Sequence, residues 1–516
     1  SFFREISELG FRAISLSKQS EENTDDEFAS LLMDHSKSQR LKGLKHLLTT
    51  NHQGTDTLIA KLYDVKSWIN YYQNQLLNAQ ENERNEFQQA LINKQLELKL
   101  VLASIKESKR IHPNSPEAND DITAVFNHFA VEKGQLLLDY FYGENRIYIL
   151  AMGKEGSSFF EVKNDNLLKS YLQEYSNELR DIQSHLEAGS YIYEKLLMPV
   201  LGERTDHINE LVIIPDGLLW GLNFDLLLTN RVHEEDNRKL PYLLKRYNLR
   251  FAYSMSLFFN EKEQLTSGEQ NLLAFSYGET DENYGDQISL NQLRIGSDEL
   301  PGSRSEIRAI AEFLDGDFYY GKYANEQQFK KVAPEYDILH LAIHGELNES
   351  DPESSFLSFY SSTDPSDDGR LHAFELYHMN LNADLAVLSA CNTGAGQFVN
   401  GEGVLSLGSA FSYAGVNSLL LTRWDVTDAT TPMIMKAFYR EIKKGKKKSE
   451  ALRIAKLEFL ESANNITSDP YYWGVFFLVG NDSPIVKSFG YAYHFLFIAG
   501  AISIVLFLIY LKRIQK

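Results

Sequence analysis

The chain has 516 residues, 43% of them hydrophobic and 24% charged, with a formal net charge of -20. The length exceeds one ordinary domain, and the composition excludes a disordered chain. The acidic balance excludes a general nucleic-acid binder, because phosphate recognition needs a Lys/Arg surface that releases counterions. The single cysteine, Cys391, excludes an internal disulfide and any CxxC zinc or redox site.

From about Glu5 to Lys109 the chain is rich in Leu, Gln, Asn, Glu and Lys, and no proline precedes Pro113. Leu62, Val65, Trp68, Ile69, Leu76, Leu91, Leu96 and Leu100 recur at near-helical spacing. Residues 1–111 are therefore expected to be helical. No 34-residue period stands out, so at most a degenerate tetratricopeptide-like region is expected. The polar, proline-containing stretch His112–Asp121 reads as a linker.

Beyond it, short apolar runs alternate with helical stretches: Ile147–Ala151, Leu211–Ile214, Leu272–Phe275, Ile338–Ile343, Leu385–Leu388 and Ser418–Leu421. Continuous apolar strands alternating with helices predict an α/β domain over residues 122–484, with a mostly parallel sheet flanked by helices. Gly316–Lys322 fits G-x-x-x-x-G-K, but Tyr323 stands where a phosphate-binding loop needs a Ser or Thr hydroxyl, so no nucleotide is expected there.

Two predicted strands end in reactive residues. One runs from Asp337 to His344-Gly345, and the other from Ala383 to Cys391. In open α/β sheets, chemistry gathers at the carboxyl ends of strands. As parallel neighbours, joined by a crossover with a short helix near Ala373–His378, these two strands would deliver His344 and Cys391 to one edge. A free thiol, with a pKa of about 8.5, becomes a strong nucleophile when an adjacent imidazole takes its proton. The backbone N–H groups of Gly345 and Cys391 are the candidate oxyanion hole, since glycine lets the backbone approach a substrate carbonyl. The plainer alternative for each residue alone is a buried small hydrophobe and a satisfied core histidine. Asp337, Asp425 and Asp428 flank these strands and are candidate substrate-pocket residues, with loop capping as their simpler role. His340 and His344 stand four apart, a metal spacing only on a helix, so neither a metal nor a cofactor is expected.

The segment LHLAIHG, followed 47 positions later by LSACNTGAG, resembles the His-Gly and Ala-Cys elements of caspase-like peptidases. More specifically, the chain resembles the CHAT family, in the clan of caspases and separases and of a bacterial kind. The matching blocks are IIPDGLLWGLNFDLLL from Ile213, LPGSRSEIRAIAEFL from Leu300, DLAVLSACNTGAG from Asp384, SLLLTRWDVTDATT from Ser418 and DPYYWGVFFLVGN from Asp469. The resemblance implies a caspase-like fold, cysteine endopeptidase activity on a protein substrate through His344 and Cys391, and a regulatory protein partner read by the N-terminal helices. Two other uses of the same fold stay open: a non-enzymatic membrane-bound docking or signalling scaffold, and acyl transfer other than proteolysis.

The last segment, Tyr491–Tyr510, has His494 as its only ionisable side chain other than its terminal and near-terminal tyrosines, and as a helix would span roughly 30 Å. It is expected to be a transmembrane helix followed by a basic tail, residues 511–516. The positive-inside rule then puts the catalytic part outside the cytosol, a topology that requires an export signal ahead of Ser1.

Overall fold

The computed structural model describes residues 81–111, 131–154, 156–176, 182–202, 207–232, 236–259, 271–276, 301–348, 351–360, 368–389, 397–399, 403–405, 407–426 and 430–486, with residue 234 and scattered positions between 61 and 76. The N-terminal region is helical where described, chiefly in α1 (Glu81–Ile111).

The first three strands, β1 (Gln135–Tyr142), β2 (Arg146–Gly153) and β3 (Gly156–Lys163), form an antiparallel meander. Helices α2 (Asn166–Ser176) and α3 (Ile182–Leu196) follow. Next come β4 (Glu210–Ile214), β5 (Asn248–Phe251) and β6 (Leu272–Ser276). Then follow α4 (Pro301–Ala311), β7 (Gly316–Tyr320), α5 (Glu326–Val332) and β8 (Ile338–Ala342).

A separate three-stranded sheet comprises β9 (His344–Glu346), β10 (Phe356–Ser358) and β11 (Arg370–His372), and leads into the one-turn α6 (Ala373–Leu376). The chain then re-enters the large sheet with β12 (Leu385–Leu388) and makes the hairpin of β13 (Gln397–Val399) and β14 (Gly403–Leu405). It closes with α7 (Leu407–Tyr413), β15 (Ser418–Thr422), α8 (Thr431–Lys443), α9 (Lys448–Ser462) and β16 (Phe476–Gly480).

The large sheet has eleven strands in the order β3-β2-β1-β4-β5-β16-β15-β12-β8-β6-β7. Beyond the antiparallel edge strands β2 and β3, it consists of two parallel blocks of opposite sense. One contains β1, β4, β5 and β16; the other contains β15, β12, β8, β6 and β7, and the two meet at the antiparallel pair β15/β16. Every residue of β4, β6, β8, β12 and β15 is buried, which explains why these strands read as unbroken apolar runs rather than alternating ones. Helix α4 packs on β6 and β8, α7 on β15, and α9 on β5 and β16. Residues from both blocks join one hydrophobic core.

One buried ion pair braces the junction of the blocks: Lys456 of α9 donates to the Asp225 carboxylate and to the Phe476 carbonyl of β16. The motif Gly316–Lys322 is an edge strand running into a turn, not a phosphate-binding loop.

The expectation of a single membrane span is corrected here. Among the described residues no helix is long and apolar enough to cross a membrane. The 31 residues of α1 are long enough, but Glu, Lys and Arg recur along them. The segment 491–510 and the tail 511–516 lie outside the described residues, as does the linker 112–121. A single-pass placement with an extracytoplasmic catalytic part and a membrane partner therefore has no support among the described residues.

Candidate active site

The geometry of the site begins with the pairing of β8 and β12. They are adjacent and parallel, with Leu385 opposite Ile338, Ala386 opposite Leu339, Val387 opposite His340 and Leu388 opposite Leu341. The register is held at both ends, because Asp384 N donates to Asp337 O at 2.7 Å and Ser389 N donates to Leu341 O at 3.0 Å. Their carboxyl ends therefore lie side by side. From these ends the chain reaches His344 two residues after β8 and Cys391 three residues after β12. Within this block the path runs from β6 outward to β7, then back past β6 to β8, β12 and β15. The reversal lies between β6 and β8, and the crevice outside the carboxyl ends at such a reversal is where α/β sheets bind ligands.

His344 opens β9 and is half-buried, opposite Ser358, while Gly345 stands opposite Leu357. The imidazole is thus carried by the small sheet rather than by β8 itself. Cys391 and Asp428 lie outside the described residues. Asp425 is exposed, three residues beyond β15. Asp337 precedes β8 at its amino end, where its carboxylate accepts from Asn271 N at 3.3 Å. Five residues of strand, about 17 Å, separate it from the edge that His344 follows, so the structure does not bring it to that edge. At the carboxyl end of β15, burial pushes Arg423 down to about 10. Its guanidinium lies 4.1 Å from the Phe477 ring centre and donates to Trp220 O at 2.8 Å.

The small sheet is braced from the side of α5 and α6. Lys330 donates to Glu326 and, at 2.7 Å, to Glu375. The second oxygen of Glu326 accepts from Arg370 N of β11 at 3.1 Å. Burial, then the charge of Glu375, pushes Glu326 up to about 8. Burial also lowers His372, whose Nδ1 lies 3.0 Å from Ser354 O. The N-terminal region reaches the same place. Lys66 Nζ is 2.9 Å from Glu353 and 5.6 Å from the centre of the Phe374 ring, which stacks on His372 at 4.9 Å.

One group of residues escaped sequence reasoning. On α4, Glu306 reaches toward both strands, with Ser389 Oγ donating to it at 3.1 Å and His340 Nε2 at 3.0 Å from its other oxygen. The available signal was His340 itself, a polar residue in the middle of a strand that otherwise reads as fully buried and so needs a partner.

With this geometry in view, the comparisons define the class. The CHAT domain model matches residues 186–481, more than half of the chain, and the protein belongs to that family. Tetratricopeptide repeat protein 28 of Mus musculus is 25% identical over 214 residues, covering 36% of this chain and 9% of that protein. Its Homo sapiens counterpart is also 25% identical over 214 residues, and this chain covers 8% of its length. The match thus spans less than a tenth of those relatives. Among solved structures, the Arg-specific cysteine proteinase gingipain R superposes with a TM-score of 0.34 at 7% identity, covering 63% of this chain and 76% of that one. The Saccharomyces cerevisiae separase–securin complex gives 0.35 at 11% identity, over 82% of this chain and 27% of that one. Superpositions this loose carry no argument about the site.

Proposed function

We propose that the protein is a caspase-like cysteine endopeptidase in which Cys391 is the nucleophile and His344 the general base. The observation that carries this reading is the register of β8 against β12, which sets side by side the two strand ends that lead to these residues. In the proposed reaction the Cys391 thiol gives its proton to the His344 imidazole. The thiolate attacks the scissile carbonyl carbon, and the backbone N–H groups of Gly345 and Cys391 donate to the developing oxyanion. Collapse breaks the C–N bond, with the imidazolium proton going to the leaving amine. Water then attacks the thioester with His344 as base, releasing the acid and restoring the thiol. Asp425 and Asp428 are the proposed pocket carboxylates, which would favour a basic residue before the cleaved bond.

Control is proposed to come from a protein partner acting on the N-terminal helical region. The contact of Lys66 with Glu353 and Phe374 supports this, because it bears on the sheet that carries His344. Removing residues 1–111 should change basal or stimulated cleavage, and no change in either would end that part of the reading.

The sole thiol makes the main test direct. Iodoacetamide labels one site, and a Cys–His pair requires rapid labelling at pH 6 to 7 that His344→Ala slows markedly. Labelling at the pace of a free cysteine, indifferent to His344→Ala, would show that there is no pair. Cut sites mapped in a proteome, with Cys391→Ala as the blank, then separate proteolysis from other acyl transfer.

A further inference from the structure

Four buried polar side chains between the sheet and helices α4 and α8 take no part in the proposed chemistry. Glu306, His340, Ser389 and Tyr439 are each at most 3% exposed. Burial that complete leaves every polar atom dependent on protein partners. Ser389 Oγ donates to Glu306 Oε2 at 3.1 Å, and Tyr439 Oη lies 3.0 Å from His340 Nδ1. Burial, reinforced by the Glu306 charge, raises Tyr439 well above the usual phenol range, so its hydroxyl keeps its proton. His340 Nε2 and Glu306 Oε1 are 3.0 Å apart, yet neither has an aligned hydrogen bond. This arm is a bent electrostatic contact, and the Ser389 arm is the directional one.

The two arms end on different strands. His340 is opposite Val387, and Ser389, two residues further on, points to the same face of the sheet. One carboxylate therefore ties together the strand that leads to His344 and the strand that leads to Cys391. A well-packed apolar cluster would fill this space at no loss of stability, whereas a polar bridge adds direction and register.

We propose that Glu306 is a positioning residue for the site, holding Ser389, and with it the chain entering Cys391, at a fixed setting against the histidine strand. The inference rests on the Cys391–His344 reading and adds that the pair forms only when this clamp is intact.

The test uses the full-length chain and the rate of Cys391 alkylation by iodoacetamide between pH 5 and 9, with thermal midpoints measured alongside. Ser389→Ala and Glu306→Ala should each lower the rate at pH 6.5 by about tenfold or more and move the profile toward that of a free thiol, near 8.5. Glu306→Gln keeps an acceptor for the Ser389 hydroxyl and should restore much of the rate. The double variant Ser389→Ala/Glu306→Ala should be no slower than the worse single one. An unaltered profile in folded Ser389→Ala, or losses that add in the double variant, would overturn the clamp. Should wild-type Cys391 already alkylate as a free thiol, unaffected by His344→Ala, the pair itself is refuted and the clamp falls with it. That result is separable from failure of the clamp alone, in which wild type still depends on His344.

Discussion

The backbone N–H of Ser389 donates to the carbonyl oxygen of Leu341 at 3.0 Å, so the chain leaving β12 stays tied to the chain leaving β8 for one residue past the end of β12. Both residues are buried, and a slip of one strand along the other would break this bond and force the core on both faces of the sheet to repack. The distance between the two strand ends is thus a property of the core and not of the loops.

A rigid scaffold under a chemically simple pair predicts that activity and stability separate. His344→Ala should lower kcat/KM for any mapped substrate by about a thousandfold or more. Its thermal stability should stay close to wild type, because the side chain is half-buried on a short strand outside the large sheet. Cleavage assays and scanning calorimetry on the same preparation check this. A parallel fall in both would make the histidine a structural element.

At the junction of the blocks the opposite behaviour is expected. Lys456 is fully buried, and desolvation lowers it even with Asp225 beside it. Lys456→Met leaves the Asp225 carboxylate buried without its cation and should cost about 3–5 kcal/mol. Lys456→Met combined with Asp225→Leu removes both charges and should recover most of that loss. Urea unfolding of the two single variants and the double variant gives the answer. A double variant as unstable as the worse single one would mean that the apolar replacements do not fill the site.

Much of the sheet was legible because a strand buried on both faces has to be apolar throughout. All six apolar runs in the sequence are strands, and the short helix expected in the crossover is α6. The parallel sense of β8 and β12 was legible, but the reversal of direction at β15 and β16 was not. Nothing in Phe476–Gly480 distinguishes a strand antiparallel to β15 from a parallel one, so the two opposed blocks emerge only in the fold. The length of β8 itself holds Asp337 at the end away from His344. Strand β7 was obscured by its resemblance to a phosphate loop, because two glycines bracket its aromatic run. Glu306 reads as one more polar residue of an amphipathic helix until the fold turns it toward His340 and Ser389.

The edge strand gives a test of close backbone approach. Gly316 pairs with Leu272 at the start of β7, and a Cβ built there would come within 2.1 Å of the Leu272 carbonyl oxygen. The obstacle is backbone in a buried strand and has no rotamer to retreat into. Gly316→Ala should destabilise the protein by about 1–3 kcal/mol, typical of overpacking. The urea midpoint should fall with an unchanged slope, and an unmoved midpoint would mean that the edge strand shifts freely.

The small sheet that carries His344 should weaken as pH rises. Glu326 has an ordinary value of 4.5, which burial, then Glu375, pushes up to about 8 in the folded protein. Desolvation opposes the charge of Lys330, yet Glu375 and Glu326 raise it overall. The two shifts fit one lysine set between two carboxyls, of which Glu326 is the deeper and keeps a proton. Between about 4.5 and about 8 the native state therefore holds a proton that the unfolded chain has released, so stability falls with rising pH across that window and levels off above it. At about 1.4 kcal/mol per unit the loss is on the order of a few kcal/mol. Glu326→Gln imitates the protonated side chain. It should match wild type near pH 5, exceed it in thermal midpoint at pH 8, and flatten the slope between them. Identical slopes for the two proteins would show that Glu326 is ionised throughout, and that the brace on β9, β10 and β11 does not respond to pH.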